Sequence, residues 1–128
     1  MSHRSRLAGF MIEVRDGTLE AAAKFWGGAL GLPVVDPDEG GRGRYAVFGP
    51  APGGLHAEVQ RVDHSPRVHL DIEADDVEAE VRRLEALGAR RIEHVRERLW
   101  VMEAPSGQRF CVVPMREDAR RAMPSTWP

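Results

Sequence analysis

The stretch Val68-His-Leu-Asp-Ile-Glu73 alternates apolar and polar residues, after which Asp75-Asp76 opens a helical run from Val77 to Leu87 that stops at Gly88. Earlier in the chain, Phe10-Met-Ile-Glu-Val14 alternates in the same way, passes Asp16, enters a helical run from Thr18 to Leu30 and stops at Gly31. Asp or Thr at a helix start accepts from the first unpaired N–H groups, and a Gly after the last turn takes the left-handed conformation that ends the helix. The strand and helix signal therefore occurs twice, and an internal repeat governs how the rest of the chain is read.

The repeat continues downstream, where Tyr45-Ala-Val-Phe-Gly-Pro50 corresponds to Trp100-Val-Met-Glu-Ala-Pro105. Each copy turns through Pro and Gly, at Pro52-Gly-Gly54 and at Pro105-Ser-Gly107, into a last strand over Leu55 to Arg61 or Arg109 to Val113. The predicted order is βαβββ, twice, an α+β fold. Module one covers residues 7–62 and module two 66–114, in one domain of 7–114 with a tail of 115–128.

Period-2 alternation assigns the faces. Phe10, Ile12 and Val14, like Val68, Leu70 and Ile72, form rows expected to pack under the helices, as do Ala57 and Val59, and Phe110 and Val112. The opposite rows hold Met11 and Glu13; His56, Glu58 and Gln60; Arg67, His69, Asp71 and Glu73; and Cys111. Tyr45, Trp100 and Met102 are expected on that second face. The mixture predicts a curved, mostly antiparallel sheet with helices on one face and a partly apolar ligand cup on the other.

Composition narrows the function classes. A chain of 128 residues with 42% hydrophobic and 30% charged residues has the size and content of one folded domain. Its apolar stretches are far shorter than the roughly 20 residues of a membrane-spanning helix, and the basic start MSHRSRLAGF lacks the apolar region of a secretion signal, so a cytoplasmic protein is expected. The single Cys111 leaves no internal disulfide. Seventeen of the eighteen basic residues are Arg, dispersed among acids at a net charge of −2, without the basic face of a nucleic-acid binder. The loop Gly40-Gly-Arg-Gly-Arg44 lacks the ending of a phosphate loop. His3 reads as part of a frayed terminus, the Glu78, Glu80, Arg82, Arg83 and Glu85 set as a solvated helix face, and Trp127 as a group that docks the tail.

The paired βαβββ pattern, the Phe25-Trp-Gly-Gly-Ala-Leu-Gly31 helix end, the Glu58-Val-Gln60 and Val68-His-Leu-Asp71 passages and the Ala104-Pro-Ser-Gly-Gln108 turn resemble the vicinal oxygen chelate superfamily. Within it the resemblance is to the glyoxalase-like group, related to glyoxalases, bleomycin-resistance proteins and extradiol dioxygenases. It implies a divalent metal (Zn, Ni, Mn or Fe) held from the first and last strand of each module. Those positions fall here at Gly9, Glu58, His69 and Cys111, and since Gly9 has no side chain the implied ligands are His69, Glu58 and Cys111. It further implies a homodimer and a small-molecule cup in which His69 and Glu58 are the acid–base pair of a lyase- or isomerase-type enzyme. Gln60, Trp100, Met102, Met11, Arg67 and Tyr45 would contact the substrate. The alternative is a drug-sequestering protein without turnover.

Overall fold

A computed structural model of the chain describes residues 2–117 and 120–128. The elements run β1 (His3–Val14), α1 (Leu19–Leu30), β2 (Val34–Glu39), β3 (Tyr45–Phe48), β4 (His56–Arg61), β5 (Val68–Ala74), α2 (Val77–Ala86), β6 (Arg90–Val95), β7 (Leu99–Glu103), β8 (Arg109–Pro114) and β9 (Ser125–Trp127). The βαβββ order is thus present twice, followed by one further strand. The sheet is mixed, mostly antiparallel and unclosed, with β1–β4 and β5–β8 as parallel pairs. No helix among the described residues is long and apolar enough to cross a membrane. The chain forms two compact units, residues 9–68, and residues 1–8 together with 69–128.

In the unit of residues 9–68, β4 lies between the second half of β1 and β3, with β2 outside β3. Thr18 Oγ1 caps α1 by accepting from the Ala21 N–H at 3.1 Å, and Gly31 ends it at a φ of 70°. The helix buries Leu19 and Ala23 against Ile12, Ala46, Phe48, Ala57 and Val59, with Phe10, Val14 and Trp26 packed at the margin. The row assigned to the helix face by alternation is the row that packs there.

In the unit containing residues 69–128, the order is β5, β8, β7, β6. Asp76 Oδ1 caps α2 by accepting from Ala79 N–H at 3.0 Å. Val81 and Leu84 of the helix pack on Ala74, Met102 and Val112, with Ile72, Trp100 and Phe110 around them. Here two expectations are corrected. Val68 and Leu70, at 58% and 50% exposure, do not pack under a helix. The ten residues of α2 reach about 15 Å, whereas seven residues of β5 extend about 23 Å, so the helix covers only the end of the strand that holds Ile72 and Ala74.

The second correction concerns the termini and the charged face of α2. His3 is buried in β1, where its Nε2 lies 2.8 Å from Glu80 Oε1, and Glu80 is wholly buried. Burial works to raise the Glu80 pKa, but hydrogen bonds from Arg83, His3 and Ser5 outweigh it and hold the carboxyl below its ordinary value. Trp127 of β9, paired with His3 across the ladder, donates from its indole to Ser5 Oγ at 2.8 Å, and the Arg83 guanidinium lies 3.9 Å from its ring centre. The tail is docked, and what reads as a solvated helix face is partly the floor of that dock.

Candidate metal and small-molecule site

His69 and Asp71 alternate onto one face of β5, and the parallel pairing with β8 sets Cys111 directly beside Asp71. The imidazole, carboxylate and thiol atoms of these three residues all lie within 4.8 Å of one another. His69 Nε2 stands 3.4 Å from Asp71 Oδ1, and both side chains are only 11% exposed. Burial by itself pulls the His69 pKa down. The hydrogen bonds and negative charge offered by Asp71 and Cys111 outweigh it, and the pKa is pushed up to about 10. Metal-free, the imidazole is therefore favoured as a cation beside Asp71 and Cys111.

Across the next ladder, Cys111 faces Val101, while Trp100 faces Val112 and Met102 faces Phe110. This corrects the assignment of Trp100 and Met102 as walls of the site. In β7 Val101, between them, is the residue on the Cys111 face, and Trp100 and Met102 belong to the α2 cluster. Trp100 is held there by His94, stacked at 4.4 Å and 1° interplanar angle, and by the Arg91 guanidinium 4.8 Å from its ring centre.

One position along β5 beyond Asp71 on the same face, Glu73 is 1% exposed and has a different environment. Arg6 Nε donates to its Oε1 at 2.6 Å, and Arg121 Nη1 donates to Oε2. Arg6 also donates to the carbonyls of Arg116 and Ala122 at 2.6 and 3.1 Å, so this buried trio ties the chain after β8 to the start of β1.

Glu58, Gln60, Tyr45, Met11 and Arg67 all lie in the unit of residues 9–68. The register places Met11, Glu58 and Val47 in one row and Gln60 beside Tyr45, as alternation predicts, with Gln60 Nε2 3.4 Å from the Tyr45 hydroxyl. His56 pairs with Gly9 so closely that a Cβ at position 9 would lie 2.1 Å from the His56 carbonyl oxygen and 2.5 Å from its ring. The missing ligand at Gly9 is thus a matter of space as well as of composition: no side chain fits there while β4 keeps its place.

Asp71 is the member of the cluster that the sequence reading left out of the site, although it sits in the same alternating row as His69. Its signal was the period of two. Its proximity to Cys111 depends on which residue of β8 lies opposite, and that is a matter of register.

A repeated βαβββ order with a donor cluster on the first and last strands of its second copy defines a protein of the vicinal oxygen chelate superfamily. The glyoxalase-like domain family matches residues 11–113, and the chain belongs to that family. No curated protein matches the sequence. Among solved structures, methylmalonyl-CoA epimerase from Mycobacterium tuberculosis is similar at 19% identity and a TM-score of 0.61, over 86% of this chain and 88% of that one. The Mn(II)-bound glyoxalase from Novosphingobium aromaticivorans is similar at 22% identity and 0.58, over 94% of this chain and 44% of that one. An extradiol ring-cleaving dioxygenase from B. fuscum is similar at 15% identity and 0.56, over 88% of this chain and 33% of that one. This chain therefore spans less than half the length of the latter two, and at these identities the likeness is one of fold.

Proposed function

We propose that this chain is a small-molecule enzyme of the lyase or isomerase type, acting on an oxygenated organic substrate at a divalent metal, zinc first, held by His69, Asp71 and Cys111. The observation that carries the reading is the approach of imidazole, carboxylate and thiol atoms to within 4.8 Å on one face. The donor set fits the ion. Nitrogen and oxygen ligands on a tetrahedral zinc, at bonds of about 2.0–2.1 Å, stand about 3.3 Å apart, close to the 3.4 Å between His69 and Asp71. Cysteine thiolate favours zinc over the harder cations, and three protein ligands leave a coordination position for substrate or water. Such an ion, when bound, polarises a substrate oxygen and stabilises charge that develops on it. Asp71 fixes the His69 ring, and the apolar Val101 borders the Cys111 sulfur across the ladder. Reading the site this way replaces Glu58 by Asp71 in the ligand set.

The test is elemental analysis of protein purified without chelator or affinity tag, with cobalt(II) substitution as a second readout. Near-stoichiometric zinc in the parent, a thiolate-to-cobalt charge-transfer band, and loss of both in Cys111→Ala and His69→Ala are expected. Background metal in the parent, with no band on adding cobalt, would overturn the reading.

A second reading, sequestration of a ligand without turnover, is favoured by Gly9, where no donor can be supplied. Ligand binding by protein that takes up no metal would establish it. Pairing as a homodimer and action in the cytoplasm belong to the proposal; the half-exposed Leu70 on β5 supports the first, and sedimentation equilibrium tests it.

A further inference from the structure

The unit of residues 9–68 contains a cleft of about 380 Å³ at the end of β1, lined by residues other than His69, Asp71 and Cys111. That volume lies within the range of small-molecule sites. Its walls are apolar: Ile12 and Val14 of β1, Trp26 of α1, and Pro66 and Val68 at the start of β5. Four charged residues stand around these walls, and three of them are matched. Glu13 faces His64 at 3.6 Å, and Arg15 faces Asp16 at 3.4 Å. Arg67 forms no ion pair among the described residues, and it is exposed.

The backbone holds Arg67 in position. Its carbonyl accepts from the Glu13 N–H at 2.8 Å, and the Val62 N–H donates to the Val14 carbonyl at 2.8 Å, so the loop between β4 and β5 is pinned along β1 at both ends. On the other side of the mouth, Arg61 Nη1 donates to the Gly17 carbonyl at 2.7 Å and braces the turn that carries Arg15 and Asp16. An indole wall, a branched aliphatic floor and one uncompensated guanidinium at the rim form a combination with a definite chemical preference. The walls favour an aromatic or branched apolar body, and the guanidinium favours a single anionic group at its edge, which it can engage by two parallel N–H donors.

We propose that this cleft is a second small-molecule site, separate from His69, Asp71 and Cys111, that takes an aromatic or branched apolar compound bearing one carboxylate, sulfonate or phosphate group placed against Arg67. The proposal does not depend on metal at the donor cluster, nor on turnover there.

The experiment is calorimetric titration of the full chain with anilinonaphthalene sulfonate and with its uncharged counterpart, phenylnaphthylamine. One sulfonate per chain should bind, about tenfold more tightly than the neutral compound. Arg67→Ala should remove that tenfold advantage and leave binding of the neutral compound unchanged. Val68→Ser, at a residue whose side chain is mostly in solvent, should weaken both compounds without unfolding the chain. His69→Ala and Cys111→Ala should bind both as the parent does. Equal affinity for the two compounds in the parent, several sulfonates per chain, or loss of binding in His69→Ala would each overturn the proposal. So would an Arg67→Ala chain that changes its mass in sedimentation while keeping the sulfonate affinity, since the rim would then meet a second copy of the chain.

Discussion

Asp71 and Glu73 leave β5 on the same face, two residues apart, at 8% and 1% exposure, and their surroundings separate chemistry from architecture. Glu73 meets the guanidiniums of Arg6 and Arg121. Those guanidiniums are permanent cations at ordinary pH, and the trio holds chain segments together. Asp71 meets the imidazole of His69 and shares register with the thiol of Cys111. Imidazole and thiol are both groups that exchange protons and can ligate metals, so the same carboxylate chemistry two residues away becomes part of the proposed site. Burial alone therefore does not mark a functional carboxylate; the titratable character of its partners does.

The sharpest break between the two is Glu73→Gln. It leaves two buried guanidiniums facing a neutral amide, and the expected cost is about 3–5 kcal/mol in urea unfolding, with zinc stoichiometry of the folded fraction retained. Loss of zinc with unchanged stability would place Glu73 in the site instead.

Cys111→Ala acts on the other member of the comparison. Cys111 contributes both a hydrogen bond and charge to the raised His69 pKa, so in metal-free protein the His69 value should fall from about 10 toward its ordinary 6.5. Proton NMR titration of the ring measures it, and an unchanged value would mean that Asp71 alone holds the proton.

Stability against pH follows from the same group. Because the folded His69 pKa lies above its unfolded value, the contribution is complete below about pH 6.5 and is lost as pH rises through about 10. Metal-free parent should thus lose stability across that window, and His69→Gln should flatten the curve.

The smallest expected effects come from the two helix caps that the repeat makes equivalent. Thr18→Ala and Asp76→Ala should each cost about 1 kcal/mol. Each removes one acceptor from a helix N-terminus, at Ala21 and Ala79 respectively. A much larger loss for Asp76→Ala would show that α2 depends on its start more than α1 does.

Much of the fold could be read along the chain because its signals are local. Alternation in Phe10 to Val14 named the buried row, Thr18 and Asp76 named the helix starts, and Gly31 and Gly88 the stops, each with a positive φ. Alternation failed at Val68 and Leu70, since it reports which residues share a face and not how far a neighbouring helix reaches. It also placed Trp100 on the wrong side. A strand that is apolar at Leu99, Trp100, Val101 and Met102 carries no phase of its own, and the ladder to Val112 and Phe110 sets it.

His69, Cys111 and the row containing Asp71 were visible as residue types at strand positions, and the period of two is enough to collect His69 with Asp71. The sequence by itself determined the repeated βαβββ order, the helix boundaries and the absence of a donor at Gly9, because each depends on neighbours within a few residues. Only the tertiary structure decided that Cys111 stands beside Asp71, that Glu73 and Glu80 are buried ion-pair partners, and that Trp127 closes onto Ser5 and Arg83. Those contacts join residues tens of positions apart, and strand register together with the partners available inside the fold, rather than any local preference, brings them within bonding distance.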